Sequence, residues 1–424
     1  MSWLLLPLLV LAAFFGAPLF SIIAGATLFA FASQDIDTVS VAIEMYRMAE
    51  APMLIAIPLF TFAGYLLSEG GAPRRLLRLS RALLGWMPGG LAVVSLVACA
   101  IFTAFTGASG VTVIAMGGLL LPALLAEKYS ERFTFGLLTT SGSLGLLFPP
   151  SLPIILVAYV ASVSVDQLFV AGIVPGTVLL LLLGTYAVQV ARRDHLPRQR
   201  FSWRELAGAA RAAAWGIPLP FVVLGGIYSG KVTVTEAASL TAMYALLAET
   251  LVYRDIRFGD LRRLFTESMV LVGGILIILG TALGLTNYLI DAEVPNSIFE
   301  WIQKWIGSRF VFLVLLNVFL LIVGCMMDIF SAILVVMPLI LPVAKAYEVN
   351  PVHLGIIFLA NLEIGYFTPP VGLNLFIGSF RFGKPVMELA RASLPFLGLY
   401  ILALLLITYV PALSLWLIHS FGVR

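Results

Sequence analysis

Two stretches of this chain decide its fold: GSLGLLFPPSLPIIL at Gly142–Leu156 and LEIGYFTPPVGLNLF at Leu362–Phe376. They are copies of one pattern, 220 positions apart, which align at a glycine and at a proline pair: Gly145 with Gly365, and Pro149-Pro150 with Pro369-Pro370. Proline removes a backbone donor and clashes with the preceding turn, so each apolar run is predicted to be a broken helix. Interrupted helices at matching places in two halves of a membrane chain indicate a transporter's binding site.

Composition places the chain in a membrane. Of its 424 residues, 61% are hydrophobic and 11% are charged, whereas a soluble domain carries roughly a quarter charged residues. The net charge of +3 is small and no basic patch is interleaved with aromatics, so the lipid bilayer is expected as a partner and nucleic acid is not. Cys99 and Cys325 lie inside apolar runs and are expected to be small core residues. The three histidines show no metal-ligand spacing.

The apolar segments predict a multi-pass, all-α membrane protein. Stretches long enough to cross a core of ~30 Å lie at 3–32, 52–69, 133–165, 168–190, 213–230, 234–253, 267–289, 353–381 and 386–420. The N-terminal segment has no basic n-region, so it is interpreted as a retained span, kinked or split near Gly16-Ala17-Pro18. Segments 33–51 and 291–309 are amphipathic and are predicted to lie at the interface.

Two further apolar stretches, 88–127 and 310–346, are too long for one span. Each has small or polar residues at its centre, TGASG at Thr106–Gly110 and MMDIFS at Met326–Ser331. We interpret both as re-entrant hairpins whose tips lie near the midplane, because irregular backbone is tolerated there only when it is buried in protein or lines a cavity.

The positive charges orient this layout. Nineteen of the 25 fall on one side of the predicted topology, which the positive-inside rule makes cytoplasmic, and six fall on the other: Arg47, Lys231, Lys304, Arg309, Lys345 and Arg424. Five spans separate the two hairpins, and an odd number inverts the second half. The sequence therefore predicts an inverted repeat with the first hairpin open to the cytoplasm.

The predicted units follow from this repeat. They are first-half scaffold helices (1–86), a first hairpin with its broken helix (87–165), scaffold and connecting helices (166–309), a second hairpin with its broken helix (310–384) and a C-terminal helix (385–424).

The broken helices explain how ions could bind without a buried arginine. A helix that stops at the midplane leaves carbonyls that coordinate a cation such as Na⁺, and one that starts there offers N–H groups to a carboxylate. Asp328 and Glu363 are acids at membrane depth, where a charge is costly and indicates function. Asp328 is either a cation ligand or an N-cap of the second hairpin arm. Glu363 either lines the ion path or pairs structurally.

At these residues the chain resembles the large membrane subunit, of DctM or SiaM type, of tripartite ATP-independent periplasmic (TRAP) transporters. The similar stretches are TGASGVTVIAMGGLLLPALL, GSLGLLFPPSLPIILVAYVASVSVDQLFVAGIVPG, GCMMDIFSAILVVMPLILPVA and NPVHLGIIFLANLEIGYFTPPVGLNLFI. In the family the tips more often read Gly-Ser-Ser and Asp-Pro, where this chain has Gly107-Ala108-Ser109 and Asp328-Ile329.

The resemblance implies an ion-transporter-superfamily fold with an elevator mechanism and no enzymatic activity. It implies Na⁺ as the coupling ion and organic acids such as C4-dicarboxylates or sialic acid as substrates, carried across a bacterial inner membrane. It implies two protein partners, a small four-helix membrane subunit and a periplasmic substrate-binding protein.

By position, the resemblance places two Na⁺ sites and a substrate site on this sequence. The first Na⁺ site would use Gly107, Ser109, Gly145 and Pro149, and the second Met326, Asp328, Thr368 and Pro369. The substrate carboxylate would bind between them, near Ser151, Val371, Gly372 and Asn374.

Two alternatives stay open at this point. A stand-alone Na⁺/dicarboxylate symporter of the same superfamily would need no binding protein. A proton-conducting subunit of an energy-coupling enzyme would want several Lys, Glu or His residues strung through the membrane, and only Asp328 and Glu363 qualify.

Overall fold

The computed structural model describes residues 8–9, 11–12, 15–34, 37–196 and 200–421. Part of the predicted span 3–32, and Arg198 and Arg424 of the charge tally, lie outside the described residues. Within the described ranges the chain is helical and forms no β-strand.

The α-helices are α1 Leu19–Ser33, α2 Val39–Ala49, α3 Ala56–Glu69, α4 Ala72–Leu84, α5 Gly90–Thr106, α6 Ser109–Ala126, α7 Glu131–Ser141, α8 Leu152–Ala161, α9 Val165–Arg193, α10 Trp203–Ala212, α11 Pro218–Tyr228, α12 Val234–Leu247, α13 Leu261–Asp291, α14 Val294–Trp305, α15 Arg309–Met326, α16 Ile329–Ala346, α17 Pro351–Gly365, α18 Leu373–Phe382, α19 Val386–Tyr409 and α20 Ala412–Phe421.

Several of these helices are long and apolar enough to cross a membrane. In the described part of the chain there are seven, or eight when the bent pair formed by α7 and α8 is counted as one span. The N-terminal span is split where predicted, since α1 begins directly after Pro18. The prediction of a full span at 213–230 is wrong, because α11 has only 11 residues and is about 16 Å long. This correction removes a helix from the span count on which the predicted inversion depended.

The two halves repeat helix by helix at the offset of 220. Hairpin 1 (α5 and α6) corresponds to hairpin 2 (α15 and α16), and broken helix 1 (α7 and α8) to broken helix 2 (α17 and α18). Equivalent boundaries agree within one residue, except that α17 runs four residues further than α7. The amphipathic helices α4 and α14 also correspond, each lying directly before its hairpin.

Ion pairs and one long helix indicate how the second half is oriented relative to the first. Arg81 of α4 pairs with Glu127 at the end of hairpin 1 (2.8 Å), and Arg75 pairs with Asp255. The end of hairpin 1 therefore lies on the arginine-rich side, close to the start of α13. From there α13 runs for 31 residues, about 46 Å, to the opposite side, where hairpin 2 begins. These contacts support the predicted inversion, which the span count no longer does.

The core is formed where a hairpin arm of each half packs against the broken helix of the other half. The second arm of hairpin 1, α6, packs against α18 of broken helix 2, and the second arm of hairpin 2, α16, packs against α8 of broken helix 1. Since each second arm contacts the other half, residues near both proline pairs meet in one buried region.

Candidate functional site

Three helices begin at this meeting point. Helix α6 starts at Ser109, α8 at Leu152 and α18 at Leu373. Gly107 lies against Leu152, because a Cβ on this glycine would be 2.6 Å from that side chain. Gly107 also adopts a left-handed φ of +64° where the chain turns between the hairpin arms, so glycine is required there. Helix N-termini carry partial positive charge and unpaired N–H groups, so their convergence suits an anion.

Ser109 and Asn374 connect the first tip to the second broken helix. The Ser109 hydroxyl donates to Asn374 Oδ1 (2.7 Å), and Asn374 Nδ2 donates to the Thr139 carbonyl (3.2 Å). Both side chains are buried. The structure thus joins a residue assigned to the first Na⁺ site with one assigned to substrate, although 265 positions separate them.

Three buried hydroxyls close to the tip and breaks have no hydrogen-bond partner within the described residues: those of Thr106, Thr139 and Ser151. Ser151 is the residue before α8 and its side chain does not cap that helix. A buried polar group without a partner is costly, so these hydroxyls are free for a ligand. Sequence reasoning missed Thr106 and Thr139. The run TTSGS at 139–143, inside an apolar segment, was the signal for the second of them.

Gly145 and Gly365 serve the same purpose in the two halves. A Cβ on Gly145 would lie 2.6 Å from the Ala104 amide nitrogen, and one on Gly365 would lie 2.4 Å from the Gly324 carbonyl oxygen. Ala104 and Gly324 are themselves equivalent in the repeat. Each glycine therefore lets the break at Pro149 or Pro369 contact the first arm of its own hairpin.

The second tip differs from the first. Asp328 caps α16: its carboxylate accepts from the amides of Phe330 (3.0 Å) and Ser331 (3.1 Å) and from the Ser331 hydroxyl. This is the capping role that the sequence left open. Met326 is 62% exposed, and Asp328 and Pro369 are also exposed while Thr368 is half-buried. We call Gly107, Ser109, Gly145 and Pro149 the first clamp, and Met326, Asp328, Thr368 and Pro369 the second clamp. The second clamp is open where the first is buried.

The expectation of free amides at the start of α18 is wrong in part. The amides of Val371 and Gly372 both donate to the Cys325 carbonyl, at 3.2 Å each, and the Asn374 amide donates to the Tyr366 carbonyl (2.8 Å). The amides of Val371 and Gly372 tie broken helix 2 to hairpin 2, whereas the Asn374 amide bonds within broken helix 2; none of the three is available to a carboxylate. The Asn374 side chain is the part of this segment that reaches the buried site.

Glu363 lies at the centre of the core. It is fully buried, its carbonyl accepts from the Ser143 hydroxyl (3.3 Å), and its carboxyl oxygens have no hydrogen-bond partner within the described residues. Ser143 and Glu363 are equivalent in the repeat, so this contact joins the two broken helices at matching positions. The described residues contain no cluster of three or more His, Cys, Asp or Glu suited to a metal.

Repeated halves that bring two helix breaks together in one buried region are typical of a multi-pass membrane transporter. A family model for the tripartite ATP-independent periplasmic transporter, DctM component, matches residues 4–413. The chain belongs to this family, and is a large permease of the bacterial inner membrane.

Relatives and a solved structure agree with this assignment. The chain is 38% identical over 384 residues to the C4-dicarboxylate TRAP transporter large permease protein DctM of Pseudomonas aeruginosa, covering 90% of each chain. It is 33% identical to the ectoine/5-hydroxyectoine large permease UehC of Ruegeria pomeroyi, covering 86% of this chain and 85% of that one. The YdaH transporter of Alcanivorax borkumensis shares the fold, with a TM-score of 0.56, 14% identity, and coverage of 91% and 88%.

Proposed function

We propose that this chain carries an organic acid into the cell together with Na⁺, by an elevator movement of the hairpins and broken helices. The observation that carries the proposal is that the starts of α6 and α8, with buried Ser109 and Ser151, meet the buried Asn374 side chain from the other repeat. Helix starts, hydroxyls and an amide bind a carboxylate without a buried cation.

The carboxylate would bind between the tips, at Ser151 and the Asn374 side chain. A C4-dicarboxylate is the favoured substrate class, because the 38% identical relative is named for it. Delivery by a periplasmic binding protein and a scaffold enlarged by a small four-helix membrane subunit follow from the family assignment.

We place one Na⁺ between the tip of hairpin 1 and the break in broken helix 1. Thr106 and Ser151 have free buried hydroxyls there, and α5 and α7 end there. Helix C-termini present carbonyls that attract cations. The second Na⁺ would bind at Met326, Asp328, Thr368 and Pro369 once the open second clamp closes. Na⁺ is cargo here, and the chain supplies only neutral oxygen ligands and one carboxylate.

Uptake of labelled succinate into proteoliposomes tests the proposal. The full chain is reconstituted with its small subunit, and the binding protein is added outside. We expect uptake that requires both an inward Na⁺ gradient and the binding protein. Ser109→Ala and Asp328→Asn should each raise the Na⁺ concentration for half-maximal uptake, Ser109→Ala by about tenfold because it removes a buried hydrogen bond at the first Na⁺ site.

Thr177→Ala is the matched control, because the Thr177 hydroxyl bonds only its own helix, at Ile173 (2.7 Å). Uptake that persists in K⁺ alone would reject Na⁺ coupling. Uptake that needs no binding protein would favour the stand-alone symporter, and unchanged Na⁺ dependence in both site variants would overturn the ion-site assignment.

Glu363 gives a separate prediction. We propose that its buried carboxyl lines the ion path between the two broken helices. Glu363→Gln keeps the shape and the Ser143 contact to the backbone but removes the acid, and it should slow uptake at least about tenfold at unchanged folding. A glutamine variant with wild-type rate and Na⁺ dependence would leave Glu363 a packing residue.

A further inference from the structure

The first arm of hairpin 2 carries an exposed apolar face. We call it the α15 stripe. Its members recur every three or four positions, in two places as adjacent pairs, and so lie on one side of the helix: Val314, Leu315, Val318, Phe319, Ile322 and Met326. All are 39% to 62% exposed. The repeat-equivalent face of α5 is formed by Val94, Ser95, Ala98, Cys99, Phe102 and Thr106, and every one is at most 4% exposed.

Packing, and not position in the repeat, explains this difference. In the first half the scaffold helices α3 and α4 lie on α5, the first hairpin arm. The closest approach is at Gly64, where a Cβ would be 2.7 Å from Thr106 Cα and 2.8 Å from the Phe105 carbonyl oxygen. In the second half the equivalent helices α13 and α14 lie instead on α16, the second arm.

The scaffold carries the same docking features twice. Ile57, Thr61 and Gly64 of α3 recur as Ile277, Thr281 and Gly284 of α13. Both threonine hydroxyls bond the carbonyl four residues back, at 2.7 and 3.1 Å. Small residues permit close helix approach in membranes. Gly284, however, has no hairpin against it: the nearest atoms to its Cβ position are methyl groups of Thr27 (3.2 Å) and Val41 (3.4 Å).

We infer that the α15 stripe is the surface on which the scaffold helix α13 docks in the opposite end state. There Met326 approaches Gly284 as Thr106 approaches Gly64 here, the Val41 side chain is displaced, and the face of α5 becomes uncovered. The inference rests on the proposed elevator movement and deepens it, because it assigns each end state its own glycine contact.

The two glycines supply opposite and matched perturbations. Gly64→Ala places a methyl group against hairpin backbone in the present state, so it should favour the opposite one. Gly284→Ala meets only side chains here, but would meet the tip in the opposite state, so it should favour the present one. Overpacking of this kind shifts a two-state equilibrium by about tenfold.

The reactivity of single introduced thiols measures the shift between the two end states. Val318→Cys and Ala98→Cys, which are repeat equivalents, are introduced singly into a chain with Cys99→Ala and Cys325→Ala, and a membrane-permeant maleimide is applied to the full chain with its small subunit. We expect the thiol at 318 to react faster than the thiol at 98. Gly64→Ala should slow the first and speed the second about tenfold, and Gly284→Ala should slow the second.

The inference is overturned if the thiol at 318 is labelled at the same rate in the parent, Gly64→Ala and Gly284→Ala proteins. That result would mean that lipid or the small subunit permanently covers the α15 stripe. Thermal melts identify a variant that fails to fold. If Gly64→Ala fails, the slower labelling at 98 that is expected for Gly284→Ala still tests the inference. Succinate uptake with unchanged labelling rejects only this inference. Opposite changes in the labelling rates at 318 and 98, without Na⁺-dependent uptake of any carboxylate, reject only the proposed function.

Discussion

Gly365→Ala is expected to prevent the chain from accumulating as folded protein. A Cβ at this position would lie 2.2 Å from the carbonyl carbon and 2.4 Å from the carbonyl oxygen of Gly324. Both are backbone atoms that cannot rotate away, so broken helix 2 would have to separate from hairpin 2. Overpacking usually costs about 1–3 kcal/mol, and a backbone obstacle places this change at the upper end or above. Size-exclusion profiles and thermal melts of detergent-solubilised protein measure the effect.

Gly273→Ala in α13 is the control, because no atom lies within 4 Å of its Cβ position. Alanine is a better helix former than glycine by up to ~1 kcal/mol, so this variant should be as stable as the parent or more so. A folded, transport-competent Gly365→Ala protein would show that the two elements do not touch as closely as the structure has them.

Arg75→Ala should produce the largest loss of stability outside the core. Arg75 pairs with Glu249 and Asp255, and its guanidinium lies 3.5 Å from the centre of the Tyr253 ring. The Glu249 side chain is only 2% exposed. Removing one partner of a buried pair leaves an uncompensated charge and costs about 3–5 kcal/mol, so the melting temperature should fall by several degrees.

Arg78→Ala is its matched control on the same helix. The Arg78–Glu205 pair, at 2.8 Å, has both side chains about half exposed, and exposed pairs contribute ~1 kcal/mol or less. Equal melting temperatures for the two variants would contradict a structural role of the Arg75 cluster. Arg75→Lys should rescue only in part, because lysine cannot bond two carboxylates with a planar fork.

Much of the fold was predictable because its signals are local. Proline and glycine act on the backbone where they stand, so the proline pairs located the breaks at 142–151 and 366–372, and TGASG located the first tip. The repeat then related the two halves. The prediction of a full span at 213–230 was wrong because hydropathy is also a local signal. It measures the length of an apolar run and not whether the backbone stays helical along it.

The pairing of tips and breaks was not predictable. Ser109 was assigned to a sodium site and Asn374 to substrate, yet their side chains bond one another. The amides of Val371 and Gly372 were assigned to a carboxylate, yet they bond Cys325. Ser109 and Cys325 lie on the strongly apolar hairpin arms α6 and α15, and such helices carry no periodic pattern to show which face meets which neighbour.

The sequence by itself determined that this chain is a membrane protein of two repeated halves, each with a hairpin and a proline-broken helix. It did so because composition and backbone chemistry depend only on the residues present. Tertiary structure alone decided that the first clamp is buried and the second open, and that α3 covers α5 while α15 is left uncovered. Equivalent residues in the two halves have the same local preferences, so only the packing of whole helices can make them differ.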